Sequence, residues 1–275
     1  MPVSNLAELV DVDHYPVHEP SSARGRELVD ACREALRSDG AVKLDGFLRP
    51  DAVARLVEDA RSLANQGYPN DEQHNVYFSD IDESLPEDDP RRILVRSAQK
   101  AVAMDLLPSH FGARRVYESD ELTRFVGAVV DIDPLYRSAD PLDGCNMTVY
   151  ERGDELGWHF DQSEFSVTLM IQRAERGGDF EYVPMIRTPD DERYDAVRDV
   201  LLGARDGVKQ LISEPGTLAF FRGRYSLHRV PPVEGETPRM NSVLTYSREP
   251  DHRLNEMAQK MYYGRTSALQ RGVST

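Results

Sequence analysis

From about residue 123 the chain reads as a succession of short strand-like runs, each closed by turn-forming residues. "RFVGAVVDID", "CNMTVYERGD", "FSVTLMIQ", "GDFEYVPMI", "GTLAFFRG", "SLHRVPPV" and "NSVLTYS" follow one another at the spacing of a sandwich or small barrel. One helical excursion, "PDDERYDAVRDVLLGARDG", interrupts them. This series constrains the fold more than any other feature of the chain.

The residues before it are of a different texture. From Ser21, a serine pair that can cap a helix precedes Leu28, Val29, Cys32, Ala35 and Leu36 at helical spacing, and Gly40 follows as a stop. "AVKLDGFL" (41–48) alternates like a strand, and Asp51 then caps a second helix, "AVARLVEDARSLANQG". Residues 69–90 are acidic and rich in turn formers, which predicts a long solvated loop of the kind that serves as a lid. "RRILVRSAQKAVAMDLLPSHFG" resumes a helical period. The expected layout is one domain over 1–275: a helical part (1–120) with its lid loop, a β-core (121–250) and a C-terminal segment (251–275).

Composition narrows the function. With 275 residues, 40% hydrophobic and 29% charged, the chain has the make-up of a soluble globular protein. No apolar run approaches the roughly 20 residues of a membrane helix. The start, "MPVSNLAELVDVDHYP", has neither a basic nor an apolar segment of the secretory kind. Cys32 and Cys145 are too few for a disulfide framework and read as small buried side chains, so a reducing cytoplasm is expected. A net charge of -15 argues against nucleic acid and anionic membranes as partners and leaves a small molecule as the default.

The chemistry begins at "GWHFDQSEF" (157–165). On a strand, residues i and i+2 face one side, so His159 and Asp161 project together as nitrogen and oxygen donors. Alone this pair is a weak signal. His228, in the strand-like "FFRGRYSLHRVPPV", is a second histidine, and Arg239 opens the following strand. Two histidines and a carboxylate occupy one face of an octahedron and suit Fe(II), leaving positions open. The arginine can grip a carboxylate through its bidentate fork. Arg239, Asn241, Val243 and Thr245 share a face and could form a polar lining. His14, His18, His74, His110 and His252 show no partner pattern and read as surface or loop residues.

These residues resemble the Fe(II)/2-oxoglutarate-dependent oxygenases: the pair His159 and Asp161, the distal His228, and Arg239. The resemblance implies a mainly β fold with α, a double-stranded β-helix (jelly roll, cupin-like) over about 120–250, buttressed by N-terminal helices. "GGDFEYVP" (177–184) looks like the family's turn and strand between the metal-ligand segments. The longer stretches "HFDQSEFSVTLMIQ", "LAFFRGRYSLHRVPPVEG" and "KMYYGR" are similar to a narrower group acting on free amino acids, the lysine hydroxylases and related radical halogenases.

What the resemblance implies is Fe(II) on His159, Asp161 and His228, 2-oxoglutarate as cosubstrate on Arg239 and Tyr150, and O2. The expected reaction hydroxylates an unactivated C–H of a free, polar, lysine-like amino acid, releasing succinate and CO2. The halogenases carry a small residue where this chain has Asp161, so hydroxylation is implied here. Arg96 aligns with the arginine that binds the substrate carboxylate, with Thr245 and Tyr263 near the same carboxylate. The lysine-specific members carry Trp at the position of Tyr263, and Gln162 stands where a carboxylate would suit an ammonium. Asp143, Asn146 and Glu164 are the candidates for holding an amine. Carrier-bound or peptidyl substrates are alternatives. A non-catalytic jelly-roll binding protein is another, disfavoured because all four residues of the set are intact. The oligomeric state, a homodimer included, stays open at this point.

Overall fold

The computed structural model describes residues 6–269. Its helices are α1 (Ala23–Asp39), α2 (Pro50–Leu63), α3 (Gly112–Tyr117), α4 (Asp120–Val130), α5 (Tyr194–Leu201) and α6 (Glu256–Tyr263). Its strands, in chain order, begin with β1 (Ala41–Leu44), β2 (Tyr68–His74), β3 (Val95–Val102), β4 (Tyr136–Arg137) and β5 (Cys145–Tyr150). Then come β6 (Glu155–His159), β7 (Ser166–Gln172), β8 (Arg176–Gly177), β9 (Phe180–Val183) and β10 (Lys209–Leu211). The last are β11 (Leu218–Phe221), β12 (Leu227–Val230), β13 (Val233–Glu234), β14 (Arg239–Leu244) and β15 (Tyr246–Ser247).

Eleven strands form one antiparallel sheet in the order β1-β11-β7-β14-β5-β3-β6-β12-β9-β10, with β2 added beside β3. The sheet is bent at β3. Lys100, Ala101 and Val102 pair with β5, whereas Ser97 and Ala98 pair with β6, so one strand joins two half-sheets. The half-sheets face each other as in a jelly roll.

Alternation along the strands sorts residues between two environments. Met147, Val149, Val167, Leu169, Ile171, Phe220 and Met240 point outward into the principal core, where they meet the apolar faces of α1, α2 and α4. Their neighbours Asn146, Thr148, Tyr150, Thr168, Met170, Phe221, Arg239 and Asn241 point inward and line a cavity. The other half-sheet is covered by α5, whose Val197 and Val200 pack on Trp158, Phe160 and Leu227.

The first helix forms as its sequence predicts: Ser22 accepts from the Gly25 amide and Gly40 closes the helix in the left-handed conformation. The second begins at Pro50 with Arg49 at its cap and no side-chain cap bond, so Asp51 sits in the first turn instead of capping. Two larger corrections concern the boundary between the halves. Residues 95–102, expected to be helical, form β3, and residues 120–130, expected to open the β-core, form α4 behind the Ser119 cap. The 69–90 segment is a strand to His74 and turns thereafter. The N-terminal part therefore contributes three strands to the sheet and is more than a helical buttress.

Cys32 and Cys145 are buried and unbonded. Among the described residues no helix is long and apolar enough to cross a membrane.

Candidate active site

His159 ends β6 and His228 lies opposite it on β12, in register, with ring centroids 4.0 Å apart. Asp161, two residues past His159, brings Oδ1 to 3.6 Å from His159 Nε2 and 3.3 Å from His228 Nε2. One donor atom from each residue lies within 4.8 Å of the others.

The remaining polar atoms are committed elsewhere. His159 Nδ1 donates to the Gly157 carbonyl at 2.8 Å, and His228 Nδ1 donates to the Ser226 carbonyl at 2.9 Å. Each Nε2 thus keeps its lone pair for the centre of the group. Ser166 Oγ donates to Asp161 Oδ2 at 2.6 Å, leaving Oδ1 to face the histidines. Gly223 makes room for this carboxylate: a Cβ there would lie 1.9 Å from Oδ2.

Electrostatics agree with ligation. Burial and the neighbouring His228 push the His159 pKa down to about 4, so the ring is neutral at neutral pH. Burial alone would raise the Asp161 carboxyl, but without metal a proton on His228 or His159 pairs with it, and that pairing outweighs burial and holds it well below the usual carboxylate range. An N,N,O set with its open side toward a cavity fits a divalent iron.

The cavity, of about 260 Å³, runs from Arg239 past the histidines to Asp143 and Tyr263. Arg239 is 6% exposed, and its guanidinium lies 5.4 Å from the centre of the Tyr150 ring. Burial lowers its pKa from the ordinary arginine value, and among the described residues no carboxylate or carbonyl is hydrogen-bonded to it. A buried cation in that condition calls for an anion, and the distal carboxylate of 2-oxoglutarate fits the fork.

At the other end three donors converge on Asp143. Tyr263 donates its hydroxyl at 2.6 Å, Asn146 its amide at 3.2 Å, and Thr245 its hydroxyl at 3.1 Å. Four residues expected near the substrate are thereby brought together, with the difference that Thr245 and Tyr263 serve a carboxylate of the protein.

Three others lie apart from the cavity. Arg96 is on β3 and, by the alternation of that strand, opposite to the cavity-lining Gln99 and Ala101. All three of its guanidinium nitrogens are taken, Nε and Nη2 by Asp71 at 2.9 and 3.0 Å and Nη1 by the Gly153 carbonyl at 2.9 Å. Gln162 is exposed and accepts from Arg224 through its backbone carbonyl. Glu164 is paired with Arg248 at 3.0 Å on the surface. Resemblance to the amino-acid group brought Arg96 forward, and in this structure β3 turns it away from the cavity.

Reading of the sequence did not single out Ser166, Gly223 or Tyr262, which also lines the cavity. Ser166 shares a strand face with Thr168 and Met170, a signal that was present. Gly223 lies in the turn "FRGRY", where nothing but the position of Asp161 marks it.

Fold and site together define an Fe(II)- and 2-oxoglutarate-dependent oxygenase, with O2 as the further cosubstrate. The chain belongs to the Halogenase D family, whose model matches residues 25–263. No curated protein matches it in sequence. Among solved structures it is similar to AviO1 from Streptomyces viridochromogenes Tue57, at 20% identity and TM-score 0.56 over 82% of this chain and 97% of that one. It is also similar to an oxidoreductase of the 2OG-Fe(II) oxygenase family from Burkholderia pseudomallei (17% identity, TM-score 0.52, 81% and 92% covered). EctD from S. alaskensis, solved with 2-oxoglutarate and 5-hydroxyectoine, is a third (17% identity, TM-score 0.51, 83% and 76% covered). At these identities the likeness is one of fold.

Proposed function

We propose that the chain hydroxylates an unactivated C–H of a free, polar, lysine-like amino acid, with Fe(II) on His159, Asp161 and His228 and 2-oxoglutarate on Arg239 and Tyr150. The bound iron and cosubstrate supply the activation of O2 and yield succinate and CO2. Asp161 is the reason for choosing hydroxylation over halogenation, since its carboxylate takes the place that a small residue leaves open.

The observation that carries the substrate class is Asp143. In the loaded site the iron is balanced by Asp161 and 2-oxoglutarate, and 2-oxoglutarate also by Arg239. Asp143 is then the one unbalanced charge among the residues lining the cavity. A substrate ammonium would balance it. Tyr263, Asn146 and Thr245 keep the carboxylate oxygens aimed, while Tyr262, Phe221 and Val230 keep water from the reacting carbon.

One observation favours a second reading. Among the described residues Arg239 is the only arginine or lysine lining the cavity, and Arg96 is engaged by Asp71, so these residues offer a substrate carboxylate no cation of its own. A carrier-bound or peptidyl amine would need none. The test is turnover of lysine-like free amino acids against their carboxamides with Fe(II), 2-oxoglutarate and O2, reading succinate and a product heavier by one oxygen. The free acid is expected to react, and Asp143→Asn to lower its turnover roughly 100-fold. Equal rates on acid and amide would shift the assignment to the second reading. Full activity in Asp143→Asn would end the role given to Asp143.

A further inference from the structure

Behind His159 lies another histidine. His74 ends β2 and is half-buried, with Nε2 at 2.6 Å from Ser97 Oγ on β3 and Nδ1 at 2.9 Å from the Asn75 carbonyl. Ser97 Oγ is also 3.1 Å from the Gly157 amide nitrogen, and the Gly157 carbonyl accepts from His159 Nδ1. The direction of each bond follows from its ends. The Gly157 amide can only donate, so the Ser97 hydroxyl accepts there and turns its own hydrogen to His74 Nε2. The Asn75 carbonyl can only accept, which places the His74 proton on Nδ1. Hydrogen bonds thus tie Asn75, His74 and Ser97 to the N–H of Gly157, and the carbonyl of the same residue, in the next peptide group, holds the His159 imidazole.

The far end of that chain is anchored. The Asn75 side chain, 1% exposed, donates to the Ser79 and Arg91 carbonyls and accepts from the Tyr77 and Ser79 amides. Inside the turn it fixes, Phe78 has φ of 53°, an uncommon conformation for a bulky residue. Phe78 stacks on His74 with centroids 4.1 Å apart and meets His159 edge-on at 5.7 Å. Strain held against a site of this kind points to a function for the turn.

We propose that His74 is a positioning residue for the metal site: through Ser97 it pins the backbone of Gly157, whose carbonyl orients the His159 imidazole, and it ties that imidazole to the 75–79 turn that carries Phe78. This rests on the reading of His159 as a metal ligand. A direct partner behind a ligating histidine typically changes metal affinity by about 10- to 100-fold, and His74, acting through Ser97 and Gly157, is expected at or below the lower end of that range.

The test titrates the metal-free full chain with Co(II) and follows its visible absorption. His74→Phe keeps a ring beneath Phe78 and removes the acceptor of the Ser97 hydroxyl, and Ser97→Ala removes the hydroxyl itself. Both are expected to bind Co(II) about 3- to 10-fold more weakly, with an altered ligand-field spectrum and a metal-free melting temperature within a few degrees of the parent. Ser97→Thr and His74→Gln, which keep a hydroxyl and an acceptor, are expected to restore affinity and spectrum. Parental affinity and spectrum in His74→Phe would overturn the proposal, as would a loss that neither conservative variant restores. Should Ser97→Ala fail to fold, the His74→Phe and His74→Gln pair decides alone. Retained Co(II) binding in His159→Ala would instead overturn the metal-site reading beneath it.

Discussion

On the proposed reading, Asp143 sets the working pH of the site. Burial raises its pKa to about 6, against the opposing hydrogen bonds from Tyr263 and Thr245. Below that value the carboxyl is protonated and offers no charge to an ammonium. The KM for a cationic substrate is therefore expected to fall about tenfold per pH unit as pH rises toward 6, and to level off above it. At saturating Fe(II) and 2-oxoglutarate, Asp143→Asn is expected to flatten this profile. An unchanged profile in the variant would assign the titration elsewhere. The sign for stability is opposite: with a folded-state pKa above the unfolded 3.8, ionisation of Asp143 opposes folding, so its contribution is lost as pH rises from about 3.8 to about 6. At this scale the metal set was legible because its spacing is local: Asp161 follows His159 by two residues, just past the end of β6, and Arg239 and Asn241 share a face of β14. Arg96 rested on resemblance alone, which does not say which way β3 turns a side chain.

α6 carries Tyr262 and Tyr263 to the cavity, and a buried carboxylate outside the helix holds it there. Asp140, 2% exposed, accepts from the Leu142 and Leu254 amides at 2.8 and 3.0 Å and from the Gln259 side chain at 2.8 Å. Asp140→Ala would leave these donors without partners, at roughly 2–4 kcal/mol in total. The melting temperature is expected to fall by roughly 5–10 °C, with a rise in substrate KM and little change in the requirement for 2-oxoglutarate. A KM for 2-oxoglutarate that rises as steeply as that for the substrate would place α6 on the wrong end of the cavity. α1, between Ser22 and Gly40, was read correctly because both its cap and its stop are in the sequence. The errors fell where short apolar runs carry both periods. "RFVGAVVDID" is rich in β-branched residues yet is wound into α4, which a Ser119 cap and two acidic residues in the first turn begin. "ILVRSAQKAV" has a helical rhythm yet becomes β3 because β2, β5 and β6 all pair with it. Long-range pairing of this kind overrides local propensity.

The whole molecule carries a net charge of -15, and much of the 71–89 segment is acidic. Such a field draws in cations and repels a dianion. Raising ionic strength from about 0.01 to 0.15 M shortens the screening length from about 30 to about 8 Å. Under that change kcat/KM is expected to fall severalfold for an amine substrate and to rise for 2-oxoglutarate. Parallel trends for the two would remove electrostatic steering as an explanation. The two-faced sheet has a further consequence, for descent with modification. Met147 and Thr148, Leu169 and Met170, Phe220 and Phe221 are neighbours in the chain, yet one of each pair supports the helices and the other meets the reactants. Mutations on the inner members can retune what is oxidised while the scaffold keeps its strength. A lineage built on this sheet is therefore free to change diet without first having to rebuild its house.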